Sequence, residues 1–351
     1  MADRETFRKD IETLICHLAR RPGASMHLVW SSVGSGKTHA LHYMAHIARS
    51  KHQGLLPIYT EFPRSAKGFL DLYSNYISGI DLEYLANACF ELKDQSRRAE
   101  LHKELKFAFP DLLNALEMFY VGEDEDKEVV SRWIRTDPED LRELKERGIN
   151  RRIDRPEEAL KVMRWASKLL TAKAEYEDTL FRFIWMIDEY QRIETLRSPV
   201  RDEINGCLQA AFNRCPKSLT IMLSFSGKPE KKLPGWVSPE LADRIGAEKT
   251  LLLPELGEKE AFVFVRDLLA QFRDSGKTPP DPLFPFTGQS TRDVVKLIMQ
   301  KGELRPRRLM EGFNAVLQEA EIKIELGELA AIDTKFAEAI MKDMVFAEVD
   351  E

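Results

Sequence analysis

SSVGSGKTHAL, residues 31–41, sets two glycines, a lysine and a threonine at the spacing of a phosphate-binding loop, G-x-x-x-x-G-K-[ST]. Ser31 stands where the first glycine of that pattern belongs. Gly34 and Gly36 let backbone N–H groups approach phosphate oxygens with no Cβ in the way. Lys37 supplies positive charge for the β- and γ-phosphates, and the Thr38 hydroxyl is a ligand for Mg2+. Val33, Ser35 and His39 complete the run expected to cradle a nucleotide. Ser31 has a small side chain and is tolerable if its φ is negative. A plain glycine-rich turn would share much of this pattern, so the flanks decide.

Upstream, MHLVW (26–30) reads as a buried strand; downstream, HALHYMAHIARS (39–50) reads as a helix whose positive end faces the anion. The second half of such a site lies far along the chain. FRFIWMIDEY (181–190) is an apolar strand that ends in Asp188-Glu189. Asp188 is placed to hold Mg2+ through water, and Glu189 to take a proton from the attacking water. Loop and acidic pair together exclude the bare turn. On the next strand, SLTIMLSF (218–225), Ser224 and Ser226 offer hydroxyls near its end. Ser226, beside Gly227, is the choice for orienting water with Glu189.

Between these halves the pattern changes. LLPIYTEF (55–62) reads as a second strand, but from about 68 to 178 the apolar spacing is helical. Thr38 and Asp188 are 150 residues apart, more than a minimal nucleotide-binding core needs. LLLPEL (251–256) is short and extended, and helices follow at roughly 257–274, 290–301, 306–320 and 333–344. The expected organisation is therefore an α/β core in two parts, 1–83 and 178–256, a helical insertion at 84–177 and an all-helical lid at 257–351. An insertion of this length reads as a surface for a partner protein, separable from the ATP chemistry.

With these residues in hand the chain resembles the AAA+ ATPases. SSVGSGKTH is similar to their Walker A and IWMIDEY to their Walker B with its catalytic glutamate. LTIMLSFSG is similar to the strand that carries sensor 1, and LADRIGAEKTLLLPEL to the segment that ends in an arginine finger, here Arg244. GELRPRRLMEGFNAVLQEA is similar to a lid helix with a sensor-2 arginine, for which Arg307 is chosen and Arg305 held in reserve. The resemblance implies a parallel P-loop sheet sandwiched by helices, ATP with Mg2+ as ligands, hydrolysis to ADP and phosphate, and a homo-oligomeric ring or filament. A narrower resemblance, through GSGKTHAL, LLPIYTEFP and the stretch from 133 to 165, is to the origin-recognition and STAND-like branch. It extends to the ATP-binding proteins of BREX-type phage-defence islands. This branch implies three alternatives: a motor or loader in DNA transactions including antiviral defence, a STAND-type nucleotide-gated switch, or a transposition-type platform assembled on DNA. Many members continue into a winged helix. Residues 321–351 are too few for one, which weakens direct sequence-specific DNA binding.

Composition agrees with a globular chain. Of 351 residues, 43% are apolar and 31% charged, and the formal net charge is −6. That balance excludes a general nucleic-acid coat while leaving room for a local basic patch. No apolar run approaches membrane-span length, and MADRETFRKD lacks a signal-peptide core, so a cytoplasmic setting is expected. The four cysteines show neither CxxC nor zinc spacing and read as reduced thiols. His39, His42 and His46 share a helical spacing, but packing and polar contacts are preferred to a metal. KERGINRRIDR (145–155) holds five basic and two acidic residues and reads as a solvated helix end; GEDEDKE (122–128) reads as a surface loop.

Overall fold

The computed structural model describes residues 4–138, 140–227, 233–245, 249–273, 281–302, 304–344 and 346. Five parallel strands form one sheet: β1 (Ser25–Ser31), β2 (Leu55–Glu61), β3 (Arg182–Asp188), β4 (Leu219–Ser226) and β5 (Thr250–Leu252), in the order β2-β3-β4-β1-β5. Pro57 sits within β2, which is tolerable because β2 is an edge strand and a missing N–H costs no ladder bond on its open side. The three central strands, β3, β4 and β1, are nearly continuously buried, as a sheet covered on both faces requires, while the short edge strand β5 is half-exposed.

Side chains alternate between the two faces. On β3, Ile184 and Met186 point to a layer built by α1 (Glu5–Arg20) and α2 (Lys37–Lys51), against Phe7, Ile11, Leu41 and Met44. Phe183, Trp185 and Ile187 point the other way. That second face is covered by α3 (Phe69–Ser78), α9 (Pro156–Tyr176) and α10 (Ser198–Arg214). Between α3 and α9 run α4 (Leu82–Phe90), α5 (Gln95–Ala108), α6 (Pro110–Val121), α7 (Asp124–Ile134) and α8 (Leu141–Glu146). After β4 come α11 (Pro239–Ile245) and then the lid: α12 (Glu258–Gln271), α13 (Gly288–Gln300), α14 (Pro306–Glu325) and α15 (Thr334–Asp343). The lid has its own core around Val265, Val295, Ile298, Phe313 and Met341.

The expected insertion is not a detached module. Its last helix, α9, packs against α3, α10 and β3 and shares one apolar cluster with the sheet. Ser167 on α9 also hydrogen-bonds Ser218 at the foot of β4. The smaller helices α4 to α8 hang from α9 through α4 and close around Leu105, Leu116, Trp133 and Ile149.

One local expectation changes and another holds apart from a single residue. GEDEDKE is not a loop: Asp124, Glu125 and Asp126 form the first turn of α7, where acidic side chains face the positive helix end. In the basic stretch, Arg147 is tied to Glu125, Asp126 and Glu143, and Trp133 donates its indole N–H to the Arg151 carbonyl at 2.8 Å. Arg147 thus ties α7 to α8, while Lys145, Arg151, Arg152 and Arg155 are exposed, as a solvated helix end requires.

A consequence can be measured. Helix α9 buries Leu160, Val162, Met163, Trp165, Leu169 and Leu170. At ~1.5–3 kcal/mol per large apolar side chain, this rivals the ~5–15 kcal/mol net stability of a domain. Replacing 84–177 with a short linker is therefore expected to abolish cooperative thermal unfolding, read by circular dichroism. A deletion protein melting at the full-length temperature would show that α9 is dispensable to the sheet.

Candidate functional site

The carboxyl ends of β1, β2, β3 and β4 meet the N-terminus of α2, and the candidate site is built there. The glycine loop leaves β1 at Ser31, passes Gly34 (φ +76°) and Gly36 (φ +97°), and enters α2 at Lys37. Both glycines occupy left-handed backbone that a Cβ would strain. Ser31 does not: the positive-φ non-glycine residues among those described are Thr136, Asp178 and Glu189. Its hydroxyl instead hydrogen-bonds Ser35, whose own hydroxyl donates to the Ser32 carbonyl at 2.8 Å. The missing glycine is thus replaced by a brace across the loop.

The Lys37 ammonium is buried and donates to the carbonyls of Ser31 and Ser32 at 3.2 and 3.1 Å. Burial pushes its pKa down to about 8, against the pull of Glu189 and Asp188 and with the help of Arg305 and Arg307. Thr38, the next residue, donates its hydroxyl to Asp188 Oδ2 at 2.6 Å. Asp188 is 1% exposed and receives three more donors: Tyr59 Oη to Oδ2 at 3.1 Å, and Ser224 Oγ and the Glu189 amide to Oδ1 at 2.8 and 2.9 Å. Burial and the Asp188 charge both raise the Tyr59 pKa, so its hydroxyl stays a donor. The ring of His42 lies 4.4 Å from that of Tyr59. Glu189 turns out of β3 in left-handed backbone, and its Oε2 accepts from Gln191 Nε2 at 2.9 Å and lies 3.7 Å from Arg192.

The lid reaches this loop directly. The amide of Arg307, on the first turn of α14, donates to the Gly34 carbonyl at 3.3 Å, and Arg305 donates to the Val33 carbonyl at 3.2 Å. A Cβ on Gly34 would stand 3.0 Å from Arg307 Cβ, so this glycine also makes room for the lid.

The geometry tests the fit of Mg2+ and a nucleotide. Thr38 Oγ1 and an Asp188 carboxylate oxygen converge on one point at the end of a helix, beside a buried ammonium, which is the donor set a Mg-bound polyphosphate requires.

The fold has known counterparts. The ORC2 protein of Aeropyrum pernix in its ADP form superposes with a TM-score of 0.53 at 11% identity, over 95% of this chain and 67% of that one. The same protein in ADPNP-ADP complexes gives 0.51 at 12% identity, over 97% and 67%. Domain III of the replication initiation protein DnaA from Thermotoga maritima matches at a TM-score of 0.47 and 13% identity, over 98% and 92%. No protein-family model matches the chain, and no curated protein matches it in sequence. The chain has the AAA+ ATPase fold.

Within this AAA+ fold the structure brings Lys37, Thr38, Asp188 and Glu189 together and sets Arg305 and Arg307 over the loop. It separates the two serines. Ser224, not the favoured Ser226, reaches the acid; Ser226 pairs with Ser31 across β1 and β4 and offers its amide to Gln191 Oε1 at 3.0 Å. On a strand, side chains two apart share a face, so both serines point the same way, but Asp188 Oδ1 lies at the level of Ser224. His39 is exposed on the first turn of α2. Arg244 lies on α11 with its guanidinium 5.2 Å from the Phe212 ring centroid, and no contact with its own glycine loop is seen among the described residues.

Three contributors escaped the sequence reading. Tyr59 had a signal, a polar tip two residues before the end of a strand. Arg192 is tied to Glu61 at 2.6 Å, and this pairing rests on the turn after Asp188. Arg4, 3% exposed, donates to the Ser35 carbonyl at 2.7 Å; nothing local marks it, because the contact depends on α1 packing on α2.

Two outcomes are expected. Losing a hydrogen bond to a buried charge costs ~1.5–3 kcal/mol. Ser224→Ala is therefore expected to lower ATP turnover about 10–100-fold, while Ser226→Ala stays within about twofold; the reverse order in a steady-state assay would restore Ser226. The second concerns Lys37. Bound phosphates favour its charged form, so nucleotide binding above about pH 8 takes up a proton and weakens as pH rises, with a flat affinity below about pH 7. Without nucleotide the sign is opposite: the folded pKa lies below the unfolded 10.5, so the chain gains stability as pH rises from about 8 toward 10.5. Calorimetry in buffers of different ionisation heat checks this, and zero proton uptake above about pH 8.5 would refute it.

Proposed function

We propose that this chain is a Mg2+-dependent ATP hydrolase that works as a homo-oligomer to drive assembly or remodelling in a DNA-related process. The observation that carries the reading is the buried Asp188 carboxylate joined to Thr38, with Lys37 and Glu189 beside it at the strand ends. Residues 33–38 and His39 would wrap the phosphates, the loop amides and Lys37 meeting their charge. Thr38 and Asp188 would hold Mg2+, which supplies charge neutralisation at the β- and γ-phosphates. Glu189 would accept the proton of the attacking water, once its carboxylate leaves Gln191 and Arg192. Ser224 and Tyr59 keep Asp188 oriented. Arg307 and Arg305 would sense the γ-phosphate from the lid.

Arg244 is exposed on α11, its guanidinium set over the Phe212 ring and its carbonyl accepting from Lys249 Nζ at 3.3 Å. A guanidinium so placed suits the γ-phosphate in a neighbouring subunit, which makes the oligomer part of the catalytic unit. The resemblance of 34–41, 55–63 and 133–165 to the ATP-binding proteins of phage-defence islands is what favours antiviral defence as the setting. No helix among the described residues is long and apolar enough to cross a membrane. Partner recognition falls to the exposed faces of α4 to α8, since α9 is needed by the sheet.

Mixed-subunit kinetics tests the reading. Glu189→Gln is expected to bind ATP but turn it over about 10²–10⁴-fold more slowly. Lys37→Ala subunits keep the finger and lose the site; Arg244→Ala subunits keep the site and lose the finger. Mixing the two is expected to restore part of the hydrolysis. Wild-type turnover by Glu189→Gln would move the base elsewhere, and no recovery on mixing, with subunit exchange shown by native mass spectrometry, would confine Arg244 to its own subunit.

A further inference from the structure

A basic cavity of about 430 Å3 opens at the foot of the sheet, at the opposite end of β3 and β4 from the glycine loop. Arg164, Lys168 and Thr171 line it from one face of α9, at i, i+4 and i+7. Arg214 and Lys217 come from the end of α10 and the connection into β4, and Arg97 from the first turn of α5. Three of these cations are matched: Lys168 by Glu104, Arg97 by Glu100 and Lys217 by Glu175. Arg164 and Arg214 form no hydrogen bond or ion pair with any described residue. The Thr171 hydroxyl is buried and also has no partner. A buried hydroxyl left unsatisfied carries a cost that a ligand oxygen would remove.

The two arginines converge from different helices. The Cys215 thiol, which burial pushes up to about 12, is pulled back by Ser167 and by both guanidinium groups. In a chain of net charge −6, two arginines without a hydrogen-bonded or ion-paired partner among the described residues, facing one cavity, are a local excess of positive charge. It is offset at Arg164 by the more distant charge of Glu104. Planar guanidinium forks match phosphate oxygens. No aromatic side chain lines the cavity, so a base would find nothing to stack on. The volume fits a compact ligand, whereas a duplex needs cations spread along its backbone.

We propose that this cavity binds a small molecule carrying two or more phosphate groups, gripped by Arg164 and Arg214, with the Thr171 hydroxyl donating to a phosphate oxygen. The ligand would clamp α9 to the α10–β4 connection, at the roots of the two strands whose far ends carry Asp188 and Ser224.

Pyrophosphate is the probe, and the Lys37→Ala chain is the background, so that binding at the glycine loop is suppressed. Calorimetry is expected to show one site in that chain. Adding Arg164→Ala and Arg214→Ala is expected to weaken it at least about tenfold, while adding Arg142→Ala on α8 leaves it unchanged. With Lys37 intact, the double variant should still bind ATP, which reports that it folds. Should it not fold, Thr171→Val in the Lys37→Ala chain takes its place, with an expected loss of about threefold or more. The proposal is overturned if the Lys37→Ala chain binds no pyrophosphate, or if the cavity substitutions leave affinity unchanged. It is also overturned if a short DNA duplex, and not pyrophosphate, is the ligand lost with Arg164 and Arg214.

Discussion

One carboxylate ties the glycine-loop end of the molecule together. Asp188 ends β3, yet its oxygens receive hydrogen bonds from α2 through Thr38, from β2 through Tyr59, from β4 through Ser224 and from the Glu189 amide. A carboxylate this deeply buried is tolerable only when its lone pairs are met, so these donors are a condition of the fold as well as of the site. The arrangement also fixes the entry of α2 relative to three strands. The two glycines, the Ser31–Ser35 brace and the Lys37 contacts then shape a loop whose two ends are already held.

The second face of the sheet shows how an insertion becomes structural. A helical excursion of this length arises between β2 and β3, and its last helix returns to cover Trp185 and its neighbours. Once α9 is part of that layer, the preceding helices are anchored to it. Their own order rests on Trp133, on the Asp111–Asn150 hydrogen bonds at 3.0 and 3.1 Å, and on the Arg147 ion pairs.

Much of this was legible in the chain. Four of the five strands and the four lid helices follow from apolar runs and their punctuation, because strands buried on both faces leave an unmistakable pattern. By contrast β5, half-exposed and three residues long, reads only as part of a short extended segment. Lys37, Thr38, Asp188 and Glu189 follow from spacing that phosphate chemistry imposes. What sequence could not supply was depth and register. Ser224 and Ser226 are equivalent by alternation, and only the alignment of β3 with β4 selects the one level with Asp188. Arg4 and Tyr59 become neighbours of the site through long-range packing. The role of α9 hides for the same reason: an amphipathic helix reads alike over a sheet or over another helix.

The lid contact has a mechanical side. Helix α14 runs twenty residues from Pro306 to Glu325, about 30 Å at 1.5 Å per residue, and its first turn is bonded to the loop backbone at Gly34. It is a lever pivoted at the glycine loop. A tilt of about 10° at that pivot carries the far end some ~5 Å, roughly the spacing of one helical turn. Small changes in the loop therefore arrive amplified at the outer edge of the lid, where Ile322 and Leu326 stand exposed.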